Sequence, residues 1–170
     1  MTFEEALVAQ GRAPEIPESE DVYGWLIGRW ELDVRYLVVS PDHRMRGEVL
    51  FSWVLEGRAV QDLWIAPPIA DRRGAITGVN TFGTTIRVWD PAIRAWRVTW
   101  INPPTGRRNE LIGRKIGNEI VQVGTHPDGT PIRWKFVDIA RDSFRWTGES
   151  LQPDGETWTL EAEFFGRRKE

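Results

Sequence analysis

The chain reads Gly28-Arg29-Trp30-Glu31-Leu32-Asp33-Val34-Arg35-Tyr36 where its hydrophobic pattern changes from a helical to an extended period. Apolar and charged side chains alternate along this stretch, so an extended strand places the apolar ones on one face and the charged ones on the other. The same alternation returns in four later stretches: 96–100, 132–136, 144–147 and 158–164. Strands with one dry and one wet face are typical of an antiparallel sheet that covers a core.

Turn residues divide the chain after Gly28 into a series of predicted strands. Tight turns such as Gly117-Asn118 join successive strands in antiparallel pairs, and such a series leaves two exposed edges unless the sheet closes on itself. A two-sheet sandwich is the alternative, but its Greek-key crossings usually need longer connections. We therefore predict an all-β fold, a closed antiparallel up-and-down β-barrel of about ten strands: 29–39, 45–55, 58–65, 82–89, 96–102, 107–116, 119–125, 131–138, 143–151 and 157–167.

Two parts of the chain fall outside this hairpin pattern. Residues 1–26 predict a short helical segment, because 3–8 fit two helical turns before prolines break the chain. The lipocalin-like barrel domain discussed below is expected over 27–170. The connection from Ala66 to Thr81 is the only long one, and we expect it to fold over one end of the barrel as a lid.

The composition excludes several classes of protein. A net charge of −3 over 170 residues gives no clustered positive charge for nucleic acid or an anionic membrane surface. The absence of cysteine excludes disulfide scaffolds and thiolate sites. No apolar run approaches the roughly 20 residues of a membrane span, so we expect a cytoplasmic protein without membrane insertion. We also expect no metal and no other cofactor.

Several tryptophan motifs resemble a known superfamily. Gly28-Arg29-Trp30, which opens the first strand after a short helix, is similar to the Gly-x-Trp signature of the calycins, the superfamily of lipocalins and fatty-acid-binding proteins. The resemblance implies a barrel closed at one end by Trp30 under a basic residue of the last strand, Arg167 or Arg168, and it implies no settled reaction. Over roughly residues 22–168 the chain resembles bacterial lipocalin-like proteins of a domain of unknown function, through Trp53-Val54-Leu55-Glu56-Gly57-Arg58, Trp89-Asp90-Pro91, Trp96-Arg97-Val98-Thr99-Trp100 and Trp158 to Glu163.

Ten tryptophans against two tyrosines indicate either a thick aromatic core or a cavity lined with rings. Trp30 and Trp158 lie near strand ends and are predicted to plug the barrel. Four tryptophans midway along predicted strands are candidates to line a pocket for a flat or apolar ligand: Trp53, Trp100, Trp134 and Trp146.

Turn geometry predicts two charged residues inside the barrel. The Gly117-Asn118 loop defines a mostly apolar face on the strands beside it, and Arg114 and Glu110 fall on that face. A buried arginine needs a partner, because an isolated buried charge is very costly. The partner of Arg114 would be Glu110, Asp62 or the carboxylate of a bound ligand, to which a planar guanidinium donates at two points. The alternative is an arginine on the outer surface.

The Glu56-Gly57 turn decides which residue of the next strand points inward. A two-residue loop places Asp62 opposite Phe51, whereas a three-residue loop with Gly57 as a bulge places Gln61 there. Gln61 is therefore a candidate for ligand binding, and Asp62 joins Glu110 as a candidate acid or base.

The remaining turn residues carry weaker signals. We expect His43 and His126 to be solvated, with no metal or haem role. The pairs Arg72-Arg73 and Arg107-Arg108 either meet at one barrel mouth, where they would attract an anion, or stay solvated.

Three functions fit these residues. The first is binding or carriage of a small, largely apolar ligand, with or without a carboxylate, inside the barrel. The second is a cofactor-free isomerase, cyclase or lyase that uses Asp62 or Glu110, because burial among indoles raises a carboxyl pKa toward neutrality. The third is a barrel packed solid, with a structural or interaction role.

The predicted strands 45–55 and 58–65 are apolar on both faces. Large exposed apolar patches are uncommon in monomers, so something is expected to cover the outer face. The cover is either the N-terminal helix, with Phe3, Leu7 and Val8 on one stripe, or a second subunit. We expect a homodimer through the outer face of these two strands.

Overall fold

The computed structural model describes residues 1–72 and 81–170. The chain begins with a short helix, α1 (Phe3–Leu7), and a two-residue strand, β1 (Val8–Ala9). Short 3₁₀ helices follow at Glu18–Glu20 and Gly24–Leu26, and another at Ile69–Asp71. The long strands are β2 (Gly28–Tyr36), β3 (Arg44–Val54), β4 (Ala59–Ala66), β5 (Thr81–Asp90), β6 (Ala95–Asn102), β7 (Arg107–Ile116), β8 (Glu119–Thr125), β9 (Pro131–Ala140), β10 (Ser143–Leu151) and β11 (Trp158–Lys169).

The ten long strands form a closed antiparallel barrel. Each strand from β2 to β11 pairs with the next one along the chain, and β11 pairs back with β2. The predicted fold class is therefore confirmed. The expected lid falls on the β4–β5 connection, of which residues 73–80, including Arg73, lie outside the described part of the chain. Within that part, no helix is long and apolar enough to cross a membrane.

The strand register follows the prediction at one turn and decides between two alternatives at another. Arg114 pairs with Val121 across the Gly117-Asn118 loop. Phe51 pairs with Asp62, which is the register of the two-residue loop at Glu56-Gly57. Asp62 therefore points inward, while Gln61 lies on the outer side and donates a hydrogen bond to Thr84 Oγ1 at 3.0 Å.

The face predicted to be inward on β7 and β8 is wrong. Leu111, Gly113 and Gln122 are buried, while Arg114 and Glu110 are exposed on the outer surface. The N-terminal segment supplies the physical reason, because the hydroxyl of Tyr23 enters the barrel beside Gly113. A Cβ at position 113 would stand 2.3 Å from that hydroxyl oxygen, so only glycine fits there. The apolar residues of the other face remain outside, including Ile116 and Val123.

A β-bulge changes the facing of the last strand. Gly148 pairs with Ala162, but the next residue, Glu149, pairs with Leu160, so Glu161 is an extra residue in β11. Such a residue moves all side chains before it to the opposite face. Trp158 therefore lies on the outer surface, where the Arg133 guanidinium carbon stands 4.3 Å from its ring centroid. The prediction that Trp158 plugs the barrel is wrong for this reason.

One end of the barrel is closed around Trp30, as the resemblance implied. Trp30 is fully buried and its indole N–H donates to the Leu26 carbonyl at 2.7 Å. The guanidinium carbon of Arg168 lies 4.1 Å from the Trp30 ring centroid. Arg168 also donates to the carbonyls of Trp25 at 2.7 Å and Ile27 at 3.0 Å. Arg168 thus occupies the position over the tryptophan, and Arg167 is exposed.

The N-terminal segment completes this closed end. Ile16, Val22, Tyr23 and Leu26 belong to the same buried cluster as the barrel interior. β1 pairs with Trp53 and Val54 at the end of β3, past Phe51, where the pairing of β3 with β2 stops. The Ala13 amide donates to the Gly57 carbonyl at 2.9 Å. The helix α1 has no buried residue. The segment therefore contributes to the core through its irregular part rather than through its helix.

Candidate functional site

A cavity of about 170 Å³ lies inside the barrel, in the half that faces away from Trp30. Its wall comes from β2, β4, β6 and β9 to β11, and its floor comes from β5 and β8. The rim includes Tyr36, Asn102, Arg107 and His126, which lie at the ends of strands or in the turns that follow them. The cavity is therefore a pocket with an open rim, and its volume is sufficient for a small molecule.

Four tryptophans line the cavity. Trp146 stacks on Phe164, with ring centroids 4.7 Å apart and planes at 11°. Trp64 and Trp134 lie on either side, with centroids 5.9 and 5.7 Å from Trp146. Trp100 faces them from β6. The wall therefore offers several flat π-surfaces around one space.

The structure brings together three of the four tryptophans predicted to line a pocket. Trp100, Trp134 and Trp146 all line the cavity. Trp53 points inward but lies nearer the closed end, with its ring centroid 6.5 Å from that of Trp96. Trp64 takes the fourth place in the wall. Its position on β4, two residues after Asp62, could have identified it once the two-residue loop at Glu56-Gly57 was chosen.

A buried ion pair lies at the cavity floor. Arg87 Nη1 donates to Asp62 Oδ2 at 2.6 Å, and both side chains are almost completely buried. The second carboxylate oxygen, Oδ1, accepts the Thr85 amide at 2.6 Å. Both oxygens of Asp62 are therefore occupied. A buried pair survives only when such additional hydrogen bonds satisfy its remaining groups.

Two further residues complete this polar floor. The Tyr23 hydroxyl donates to Gln122 Oε1 at 3.1 Å, and Arg87 Nε donates to the same oxygen at 3.4 Å. The Arg87 guanidinium also lies near the rings of Tyr23 and Phe51, at 5.1 and 5.5 Å from their centroids. Arg87 is thus held by a carboxylate, an amide oxygen and aromatic faces at once.

Burial dominates the electrostatics of these groups. Removal from water raises the pKa of Asp62 above its ordinary value, and the adjacent Arg87 guanidinium works in the opposite direction. Burial also raises the pKa of Tyr23 far above its ordinary value, so its hydroxyl remains a neutral donor. At the rim, burial raises the pKa of Tyr36, whose hydroxyl lies 2.6 Å from Thr81 Oγ1.

His126 belongs to the rim of the cavity rather than to solvated surface. Arg107 Nη2 and Asn109 Nδ2 lie 3.2 and 3.4 Å from its Nδ1 atom. Arg107 Nη2 also lies 3.4 Å from the Nε2 atom of His126, which is 3.5 Å from a Glu161 oxygen. Polar side chains therefore surround this imidazole. The expectation of a solvated histidine is wrong at this position. His43 is half-buried near Tyr36, with ring centroids 6.2 Å apart.

The two candidate acid–base residues are placed apart from the cavity space. Asp62 lies beneath the floor, with both oxygens engaged as described, and it is not one of the residues that line the cavity. Glu110 is on the outer surface, where it accepts hydrogen bonds from Thr99 at 2.7 Å and from Arg108 at 2.7 Å. Arg114 is also outside and donates to the Ile93 carbonyl at 3.2 Å. Over residues 1–72 and 81–170, no three His, Asp or Glu side chains come together as a metal site.

The interior arginine is therefore Arg87, which sequence reasoning missed. On β5 the outward residues, such as Phe82 and Val88, are more apolar than the inward Thr85 and Arg87. An apolar-in pattern consequently assigns this strand the wrong way round. The signal that could have found Arg87 is its cross-strand neighbourhood, because β5 pairs with the β4 residue Asp62 through Thr85.

Fold and cavity together define the class of protein: an antiparallel ten-stranded β-barrel that is closed at one end by its N-terminal segment and hollow toward the other. A scan against models of protein families finds no match for the chain, and a search of curated proteins finds no match either.

Proposed function

We propose that the barrel binds a small, largely apolar molecule in the cavity walled by Trp64, Trp100, Trp134 and Trp146. The observation that carries this proposal is the combination of an aromatic wall with a few fixed polar groups at one end, which is the usual composition of a ligand pocket. An apolar cavity of about 150 Å³ is known to hold benzene. A cavity of about 170 Å³ therefore suits a single ring with one small substituent.

The unfilled space supports this proposal over a barrel packed solid. A barrel with a purely structural role has no use for a pocket between aromatic side chains, because filling that space would bury more apolar surface. A binding protein, in contrast, gains stability when its ligand enters such a pocket.

The positions of the candidate acids favour binding over catalysis. A general acid or base must come within hydrogen-bond reach of the atom it protonates or deprotonates. Glu110 lies outside the barrel, and both oxygens of Asp62 already accept hydrogen bonds from Arg87 and Thr85. An isomerase, cyclase or lyase that relies on either residue is therefore the weaker candidate.

We infer in addition a relationship to the calycin superfamily. Its support is the Gly28-Arg29-Trp30 motif at the start of β2 together with the Arg168 guanidinium that covers the Trp30 ring. The motif and its arginine lie about 140 residues apart in the chain and meet only because the barrel closes. Such an arrangement is more specific than the motif alone.

A homodimer through the outer face of β3 and β4 remains our proposal for the assembly. Leu50 and Leu63 pair across these strands and are 37% and 42% exposed. The helix α1 does not cover them, since its own Phe3 is 75% exposed. A two-fold interface would bury this patch on both subunits.

The dimer is tested by the double variant Leu50→Glu with Leu63→Glu, which places charges in the interface. Light scattering is expected to show that this variant is a folded monomer. A wild-type protein that is monomeric at high micromolar concentration would contradict the dimer.

Binding is tested first on the protein as purified. Native mass spectrometry identifies a copurified small molecule as a mass excess that disappears on denaturation. Titration with a panel of substituted benzenes and naphthalenes, followed by tryptophan fluorescence and calorimetry, then measures affinity directly. If no member of the panel binds at millimolar concentration and no molecule copurifies, the proposal fails.

Two tryptophan variants give a matched control. Trp134→Ala removes an indole from the cavity wall, and Trp158→Ala removes one from the outer surface. We expect the first change to weaken binding about tenfold, the equivalent of about 1.4 kcal/mol, and the second to leave it unchanged. Equal effects of the two changes would place the ligand elsewhere.

A further inference from the structure

The cavity floor combines a neutralised ion pair with hydrogen-bond donors for which the described residues offer no acceptor. We propose that the ligand presents an uncharged hydrogen-bond acceptor to this floor, such as the oxygen of an aromatic ketone, amide or nitro group, and not a carboxylate. This inference rests on the proposed function and specifies the chemistry of its ligand.

The orientation of Gln122 is fixed by its two donors. Its Oε1 atom accepts from the Tyr23 hydroxyl at 3.1 Å and from Arg87 Nε at 3.4 Å. Arg87 Nε can only donate, so the atom of Gln122 that faces it must be the oxygen. The Tyr23 hydroxyl, which its raised pKa keeps protonated, donates to the same oxygen. The amide nitrogen Nε2 of Gln122 must therefore point away from them. Gln122 lines the cavity, so its N–H groups are available to a ligand there.

Arg87 adds a second donor beside this amide. Its Nε and Nη1 atoms bond Gln122 and Asp62, while Nη2 has no hydrogen-bond partner among the described residues. Unpartnered side-chain atoms that are completely enclosed occur in that part of the chain only at Arg35, His43, Asn109 and Thr147. Neither Arg87 Nη2 nor Gln122 Nε2 is one of them, and both residues line the cavity.

Thr85 supplies the third polar group of the floor. Its amide is bonded to Asp62, and its side chain lines the cavity. A hydroxyl can donate or accept, but the amide and guanidinium beside it only donate. A ligand atom at the floor therefore meets donors from two or three directions, which suits an oxygen with two lone pairs.

The charge of the floor distinguishes a neutral acceptor from a carboxylate. Asp62 already neutralises Arg87 through a 2.6 Å hydrogen bond, so no net positive charge is left to compensate an incoming anion. A carboxylate would lose its hydration in an aromatic cavity and would meet the Asp62 carboxylate close behind Arg87. A neutral oxygen accepts the same hydrogen bonds without that loss. The other charged groups that line the cavity, Arg107 and Glu161, have opposite signs and lie with His126 at the rim, away from the floor. Arg114 lies outside the barrel.

The test compares two probes of the same shape, nitrobenzene and benzoate. Each is a benzene ring that carries two acceptor oxygens in one plane, and they differ in charge. We expect calorimetry at pH 7 to give nitrobenzene an affinity at least tenfold above that of benzoate. We also expect the apparent affinity of benzoate to rise about tenfold per unit as the pH falls from 8 to 5, because only its neutral acid enters, while that of nitrobenzene stays constant.

The variant Asp62→Asn is expected to reverse the preference for the neutral probe, because it leaves the positive charge of Arg87 without a partner. Benzoate is then expected to bind at least tenfold more tightly than to wild type and to raise the melting temperature. The control variant is Glu110→Gln, which removes a carboxylate that is also paired with an arginine, Arg108, but lies on the outer surface. We expect it to change neither the affinity for benzoate nor that for nitrobenzene. The pH series on wild type needs no variant, so it decides the question even where Asp62→Asn does not fold.

The outcomes separate this inference from the function on which it rests. Benzoate binding that equals or exceeds nitrobenzene binding at pH 7 overturns the neutral acceptor and leaves a ligand cavity in place. A benzoate affinity that is independent of pH between 5 and 8 does the same. Failure of both probes and of every other small aromatic molecule overturns the proposed function as well.

Discussion

The two halves of the barrel contain the same kind of side chain and use it differently. At the closed end Trp30 meets Phe144 edge to face at 4.9 Å, and Trp25 covers both rings at 6.0 and 5.9 Å. In the other half Trp146 stacks on Phe164 at 4.7 Å, yet a space of about 170 Å³ remains beside them. The abundance of indoles therefore does not decide between a solid and a hollow interior.

The difference comes from what the rest of the chain places among the rings. The N-terminal segment inserts Tyr23 and Leu26 into the closed half, and the Leu26 carbonyl accepts the Trp30 indole proton. The ion pair of Asp62 and Arg87 lies across the middle. Beyond this polar layer, the side chains of the described residues surround the cavity and leave it unfilled. A tryptophan with a hydrogen-bond partner and rings on each side is a structural residue, and one that borders a space is available to a ligand.

The largest expected effect is that of Trp30→Ala. Loss of a fully buried indole from a packed site is expected to cost about 3–5 kcal/mol, because the cavity it leaves cannot collapse. Urea denaturation measures this change as a shift in the free energy of unfolding. A cost below about 1 kcal/mol would show that the closed end is not packed as described.

Removal of the covering arginine is expected to have the next largest effect. Arg168→Leu removes three hydrogen bonds to backbone carbonyls, the ion pair with Asp142 and the cation above the Trp30 ring, for an expected cost of about 2–3 kcal/mol. Arg167→Leu is the matched control, since that neighbour is exposed, and it is expected to change stability by less than about 0.5 kcal/mol. Equal costs for the two variants would contradict the role of Arg168.

Trp134→Ala is expected to cost less stability than Trp30→Ala, although both remove an indole. Trp134 is half-buried and already borders open space, so we expect a cost of about 1–2 kcal/mol. The same urea experiment measures it. A cost as large as that of Trp30→Ala would mean that the two halves are packed alike, and the comparison would then fail.

The smallest expected effects concern the pH dependence of stability, through one carboxylate in a turn at each end of the barrel. Hydrogen bonds from Thr157 lower the pKa of Asp154 in the open-end turn, and the Arg97 side chain lowers the pKa of Asp90 in the closed-end turn. Because the folded-state pKa is below the unfolded one, each group stabilises the fold above pH of about 4 and loses that contribution as the pH falls through its folded value. NMR titration measures both values.

Salt distinguishes these two turns. The Arg97 partner carries a charge and lies at the surface, so 1 M salt is expected to raise the Asp90 pKa toward its ordinary value. The donors to Asp154 are neutral, and its pKa is expected to move less. An equal response of the two carboxylates would contradict this assignment.

The sequence was most informative where local geometry decides the structure. Alternation and turn residues predicted ten strands and their closure, and the Gly117-Asn118 loop predicted the pairing of Arg114 with Val121. The position of Trp30 beneath a basic residue of the last strand followed from the resemblance to calycins. These features depend on neighbouring residues or on a motif.

The facing of individual strands depends on distant residues, and there the sequence misled. Arg114 was predicted to point inward because its face is the more apolar one, but the hydroxyl of Tyr23, about 90 residues earlier, occupies the space beside Gly113. Trp158 was assigned inward because a single extra residue, Glu161, has no signature in the alternation. Arg87 was overlooked because its strand is apolar on the outside. For Arg114 and Arg87 the decisive contacts come from Tyr23 and Asp62, far away in the chain, whereas for Trp158 the cause is a bulge three residues further on.

Closure between β2 and β11 also governs how the protein is made. Arg29 pairs with Lys169, and Trp30 pairs with Arg168, so the seam joins residues from near the start and near the end of the described chain. At a synthesis rate of about 5–20 residues per second, Trp30 leaves the ribosome on the order of ten seconds before its arginine exists. During that interval the apolar faces of β2 and β3 lack their final neighbour and are open to chaperones or to aggregation. The barrel forms only after β11 has emerged, and its folding is accordingly expected to be slow.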